Sequence, residues 1–104
     1  MIKIKSKAQQ ELDRTLILRY LTECGLQHVE PIGIIVYMDD ILRPVSAEGM
    51  DFHLRYMRDR RWVEMETEKA VGSPEVIRSV RITADGVDES DRRQKALAGP
   101  RVGS

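Results

Sequence analysis

The stretch that most constrains the fold runs from Val45 to Met65, VSAEGMDFHLRYMRDRRWVEM. Met50, Leu54 and Met57 recur at i, i+4 and i+7, the spacing of one helix face. Ser46 precedes them as a helix cap, and Glu48 puts an acid in the first turn, where the helix dipole favours it. Cations at Arg60 and Arg61 suit the other end. The pattern then switches to Trp62-Val63-Glu64-Met65-Glu66, which reads as a strand.

The flanking segments complete an order of elements. A first helix should start at the cap Ser6 and run to about Cys24, with Leu12, Leu16, Tyr20 and Cys24 as its apolar stripe, widened by Ile17 and Leu21. Gly25 is placed to end it, and Leu26 to Glu30 reads as a connection. Pro31 suits the first turn of a second helix reaching Ile41. The run Ile34-Ile35-Val36 fits a buried strand as well, but Pro31 and the pair Asp39-Asp40 favour helix. Arg43-Pro44 breaks it. After the third helix, strands at Trp62–Thr67 and Val76–Ile82 flank turn chemistry from Lys69 to Pro74. Strict alternation puts Val76, Arg78, Val80 and Ile82 on one face of the return strand. Thr83 caps a short last helix, Ala84 to about Arg92. The expected architecture is α+β, a winged helix-turn-helix of three helices, a β-hairpin wing and a short C-terminal helix. It spans residues 1–92, with a flexible tail over 93–104.

Composition narrows the function. Seventeen basic residues balance seventeen acidic ones, so the basic excess of a sequence-independent nucleic-acid binder is absent. The single cysteine, Cys24, rules out an intramolecular disulfide framework and offers no zinc constellation. No apolar run is long enough to span a membrane, and MIKIKSK lacks the apolar core of a signal peptide, so a cytoplasmic location is expected. His28 and His53 have no Cys or His at ligand spacing, and adjacent Asp39 and Asp40 point about 100° apart on a helix. Gly72-Ser73-Pro74 lacks the glycine spacing and lysine of a phosphate loop. No catalytic or metal residue is expected, no cofactor, and no enzyme activity.

Binding remains. Opposite the Met50–Leu54–Met57 stripe lie Glu48, Phe52, Arg55 and Asp59, with Tyr56 beside them. A helix that reads bases should present Arg, Lys, Asn, Gln, Ser or Thr there, mostly near its start. Ser46, His53 and Arg55 are the candidates for the groove, with Lys69 and Arg78 of the wing reaching phosphate. Phe52 and Tyr56 are candidates for a protein interface, with packing against the second helix an equal alternative for Phe52.

The chain resembles the compact winged-helix proteins of Mu-like phages and prophages, themselves similar to ArsR-type regulators. The carrying residues are Leu16-Ile17-Leu18-Arg19-Tyr20-Leu21, Val45-Ser46, then Met50, Leu54 and Met57, Trp62-Val63, and Val80 through Asp88. The resemblance covers roughly residues 8 to 92. It implies a non-enzymatic DNA-binding regulator of phage or prophage origin, using helix 46–61 and wing 62–82. The metal-sensing cysteines of ArsR sensors are missing, so metal sensing is not implied. A homodimer formed through the first and last helices is expected, with DNA as the partner. The alternative is an interaction or dimerisation module that reuses the fold.

Overall fold

The computed structural model describes residues 5–98. Its elements are α1 (Lys7–Cys24), α2 (Pro31–Asp40), α3 (Ala47–Asp59), β1 (Val63–Glu68), β2 (Val76–Ile82) and α4 (Ala84–Ala98). The two strands form one antiparallel hairpin.

Helix starts follow from the capping residues. Ser6 Oγ accepts from Gln9 N–H at 3.2 Å while Gln9 Oε1 accepts from Ser6 N–H at 3.0 Å, a reciprocal capping box. Ser46 Oγ accepts from Gly49 N–H at 3.0 Å at the start of α3. Pro31 occupies the first turn of α2, and Gly25 at φ 69° follows α1. The β-branched run Ile34-Ile35-Val36 is helical.

Two helices end in the same way, without glycine. After α2, Leu42 N–H donates to Asp39 O and Arg43 N–H to Met38 O; after α3, Arg61 N–H donates to Arg58 O and Trp62 N–H to Met57 O. Both pairs are the Schellman pattern, which needs a left-handed residue at its corner. Leu42 at φ 62° and Arg61 at φ 65° supply it, at a cost of about 1 kcal/mol each compared with glycine.

The core gathers Ile17, Leu18 and Leu21 of α1, Ile34 and Met38 of α2, Met50, Leu54 and Met57 of α3, and Val63, Ile77, Val80 and Ile82 of the hairpin. The α3 stripe is where its spacing put it. The buried face of α1 is rotated from the expected one: Ile17, Leu18 and Leu21 are sealed, whereas Leu12, Leu16, Tyr20 and Cys24 are only half-buried. Asp13, Arg14 and Thr15 are buried beside that stripe.

Three further expectations are corrected. Glu66 pairs with Ser79 and Thr67 with Ile77, so Arg78 is the unpaired residue of a β-bulge. The bulge reverses the alternation and turns Ile77 inward with Val80 and Ile82, leaving Val76 exposed. The connection after α1 is tied to β2 by one isolated antiparallel bridge, in which Val29 and Val80 exchange backbone hydrogen bonds at 2.8 and 2.9 Å. The last helix continues to Ala98, six residues past its expected end, so residues 93–98 are helix rather than tail; residues 99–104 lie outside the described residues.

Helix α4 packs along α1, and its entry is very close. Thr83 Oγ1 accepts from Gly86 N–H at 3.0 Å and donates to Arg61 O at 2.7 Å, while Thr83 N–H donates to Trp62 O at 3.0 Å. Gly86 lies so near Trp62 that a Cβ there would sit 2.1 Å from its carbonyl oxygen.

Candidate nucleic-acid interface

The outer face of α3 and the wing are the surfaces on which a winged helix meets DNA. Phe52 is exposed on that face, at 55% of its possible area. Glu48 and Asp59 are exposed beside it.

Arg55 does not extend freely from this face. Its Nε donates to Asp51 Oδ2 at 2.8 Å, Nη1 to Glu75 Oε1 at 2.8 Å and Nη2 to the Glu75 carbonyl at 2.9 Å. Three of its five N–H groups are thus committed to α3 and to the residue before β2. Hydrogen bonding from Arg55 holds the Glu75 carboxyl below its usual range, and the bonds to Asp51, then Glu75, raise Arg55 itself. Arg58 adds a longer contact to Glu75, at 3.7 Å. Arg55 therefore links α3 to the residue that precedes β2.

The other expected contacts fall in different places. Ser46 spends its hydroxyl on the helix cap. Lys69 is exposed in the wing turn. Arg78, at the bulge, is exposed and lies 3.4 Å from Glu68. On the same hairpin Arg81 pairs with Glu64, and His28 bridges Ser79 at 3.1 Å and Glu66 at 3.4 Å. Among the described residues, Lys7, Arg60, Arg61 and Lys69 have no carboxylate partner. Of the wing's acidic residues, Glu64, Glu68 and Glu75 each lie against an arginine.

His53 is not on the outer face, contrary to the sequence expectation; it is 3% exposed. It belongs to a buried network on α1. Arg14, 4% exposed, donates to His53 Nδ1 at 3.2 Å and to Glu11 at 2.9 and 3.2 Å. Arginine has no acceptor, so His53 Nδ1 must accept and the ring proton sits on Nε2. Burial, then the Arg14 charge, pushes the His53 pKa down to about 4, and the imidazole is neutral near pH 7. Asp13, fully buried, accepts from Lys5 Nζ at 2.7 Å and from Arg43 at 2.8 and 3.0 Å. Arg93 of α4 extends the network to Glu11, Thr15 and Glu89.

Tyr56 is only half available as an interface residue. Its ring carries the Arg14 guanidinium at 4.0 Å and the Arg60 guanidinium at 4.5 Å, and it meets Trp62 edge-on. Tyr56 is thus half-buried, one helical turn from exposed Phe52. Sequence alone missed this cluster because its members, Arg14, Tyr56, Arg60, Trp62 and Arg93, come from three separate segments.

Among the described residues no group of three His, Cys, Asp or Glu side chains is placed to hold a metal ion, and no helix is long and apolar enough to cross a membrane.

No protein-family model matches the sequence, and no curated protein matches it. Solved structures do. One, from Thermoplasma acidophilum and described as a transcriptional regulator, superposes with a TM-score of 0.72 at 14% identity, covering 91% of this chain and 87% of that one. A PadR-like transcription factor from Bacteroides fragilis gives 0.64 at 12% identity over 88% and 84%. A PadR-family transcriptional regulator from Eggerthella lenta gives 0.62 at 18% identity over 85% and 77%. The chain has the winged-helix fold of these proteins, with four helices and a two-stranded wing.

Proposed function

We propose that this chain is a non-enzymatic DNA-binding transcriptional regulator, with α3 facing the major groove and the wing beside the flanking backbone. The observation that carries this reading is the frame: α3 presents a full outer face next to a projecting hairpin, in the arrangement shared by the regulators above. Fold alone does not assign function, so the site chemistry has to define what kind of reader it is.

The site chemistry favours modest electrostatics and precise geometry. Lys69 is the free cation of the wing and its foremost phosphate contact; Arg78 is the second, after giving up Glu68. Ser46, at the start of α3, brings the helix N-terminus toward the backbone. Arg55 serves by fixing the wing against α3 rather than by reading a base.

Pairing of two copies through α1 and α4 belongs to the same proposal. Leu97 is 57% exposed and Val87 39% exposed on α4, alongside half-buried Leu12. A phage or prophage origin rests on the sequence resemblance alone.

The test is anisotropy of a labelled mixed-sequence duplex with wild type and Lys69→Ala. The variant should bind more weakly to every duplex and lose about one unit of salt slope. An unchanged Lys69→Ala would remove the wing from the interface.

A further inference from the structure

Most side chains on or near the outer face of α3 are already engaged. Ser46 caps the helix, His53 is buried, Arg55 is held by Asp51 and Glu75, and the Tyr56 ring carries two guanidinium groups. Asp59 stands at the far end of the helix, beside Arg58. Two exposed side chains remain in the N-terminal half of that face, Glu48 and Phe52. Glu48 makes no ion pair among the described residues. The N-terminal half is also the part of a recognition helix that reaches base edges.

Glu48 and Phe52 lie one turn apart on α3, about 40° from each other around its axis and both away from the buried Met50–Leu54–Met57 stripe. Along the axis they are separated by about 6 Å. Stacked base pairs repeat at about 3.4 Å, so a helix lying along the groove sets these two side chains nearly two base steps apart. Their chemistry is distinct. In the major groove cytosine presents the donor N4–H2, adenine the donor N6–H2 beside the acceptor N7, and guanine and thymine present acceptors. A carboxylate is satisfied by cytosine, less well by adenine because of N7, and repelled by the other two. The surrounding phosphates make Glu48 unfavourable wherever it finds no donor, so it acts mainly by rejecting wrong bases. The Phe52 ring has no hydrogen-bonding group, and its apolar counterpart in the groove is the C5-methyl group of thymine.

We propose that Glu48 and Phe52 are the specificity-determining residues of α3, and that this helix selects duplex sites carrying a cytosine and a thymine about two base steps apart. Glu48 accepts from the cytosine N4–H2, and the Phe52 ring covers the thymine methyl group. Such base selection rests on the DNA-binding function proposed above and adds to it the class of sequence that is read.

The test begins by enriching duplexes from a randomised pool with the wild-type chain at about 50 mM salt. Anisotropy then compares the enriched duplex with one in which deoxyuridine replaces the thymine of the pair, a change that removes only the methyl group. Wild type should bind the deoxyuridine duplex about fourfold more weakly, the contribution of one buried methyl group. In Phe52→Ala, whose exposed side chain leaves the core untouched, the ratio should fall to about one. Its salt slope should match that of wild type, unlike that of Lys69→Ala, because no charge is removed. Glu48→Gln should shift the preference at the other position from cytosine to adenine by about fivefold, since glutamine pairs with both N6 and N7. An enriched site without the pair, binding of all duplexes alike, or an equal methyl effect in wild type and Phe52→Ala would overturn the proposal and leave DNA binding standing. So would a changed self-association of Phe52→Ala with its methyl effect intact, which would assign Phe52 to a protein interface. Failure to bind any duplex would overturn both this proposal and the function it rests on.

Discussion

One substitution made at two equivalent positions should have opposite signs. Gly33 and Gly86 are each the third residue of a helix, α2 and α4. Helix propensity alone predicts that alanine stabilises both, by about 0.5–1 kcal/mol. At Gly33 a Cβ would meet Val29 at 3.7 Å and the Tyr20 hydroxyl at 3.9 Å, ordinary contacts. Gly33→Ala should therefore gain that amount. At Gly86 the Cβ would stand 2.1 Å from Trp62 O and 2.7 Å from Ile82 Cγ1. The obstacle is backbone, so α4 must move by more than an ångström. Overpacking of this kind costs about 1–3 kcal/mol. The movement also strains the bond from Thr83 N–H to Trp62 O, worth about 1 kcal/mol. The clash outweighs the propensity gain, and Gly86→Ala should lose about 2–3 kcal/mol. Urea unfolding measures both. With a slope near 1 kcal/mol per molar, the Gly86→Ala midpoint should fall by about 2 M and that of Gly33→Ala should rise by about 0.5 M. An unchanged or raised midpoint for Gly86→Ala would refute the close approach of α4 to the turn at Trp62.

Leu42→Gly should relieve left-handed strain at an 87% exposed side chain; after the added chain entropy of glycine, the net gain is about 0.5 kcal/mol, read as a rise in melting temperature of about 2–4 °C. His53 should make folding acid-sensitive. Its native pKa of about 4 lies below the unfolded value of 6.5, so its contribution is complete above pH 6.5 and is lost as pH falls toward 4. The loss between pH 7 and 5 is about 2 kcal/mol, and unfolding midpoints should show it in wild type but not in His53→Gln. Arg55→Ala should leave the midpoint near that of wild type but speed amide exchange at Thr67 and Val76, where its guanidinium meets the wing; unchanged exchange would contradict that link.

Local signals carried the elements. The Met50–Leu54–Met57 stripe, the caps Ser6 and Ser46, Pro31 and the limits of β2 were all legible, because each depends on residues within a few positions. The bulge at Arg78 was not, since register depends on the partner strand and one extra residue reverses every face beyond it. The burial of Asp13 and Arg14 was hidden for a related reason. Charged side chains read as surface unless their partners are known, and those partners, Arg43 and His53, lie 30 and 39 residues away. The same separation moved His53 from the outer face to the network, and Glu75, 20 residues on, holds the Arg55 guanidinium against the start of β2. The longer α4 was masked by Lys95-Ala96-Leu97-Ala98, whose small residues suit a tail as well as a helix. Of the candidate site, Lys69 is exposed in the wing turn, and Phe52, for which the sequence left interface and packing equally open, is exposed.

The most direct test of the proposed function is the salt dependence of duplex binding. Two phosphate contacts per copy, from Lys69 and Arg78, give a slope of log K against log salt of about −2 for one copy and about −4 for a pair. Affinity should be measurable at about 50 mM salt and fall along that slope. No binding to any duplex at that salt concentration would contradict the account, because a winged helix that meets DNA must release counterions from the phosphates it touches.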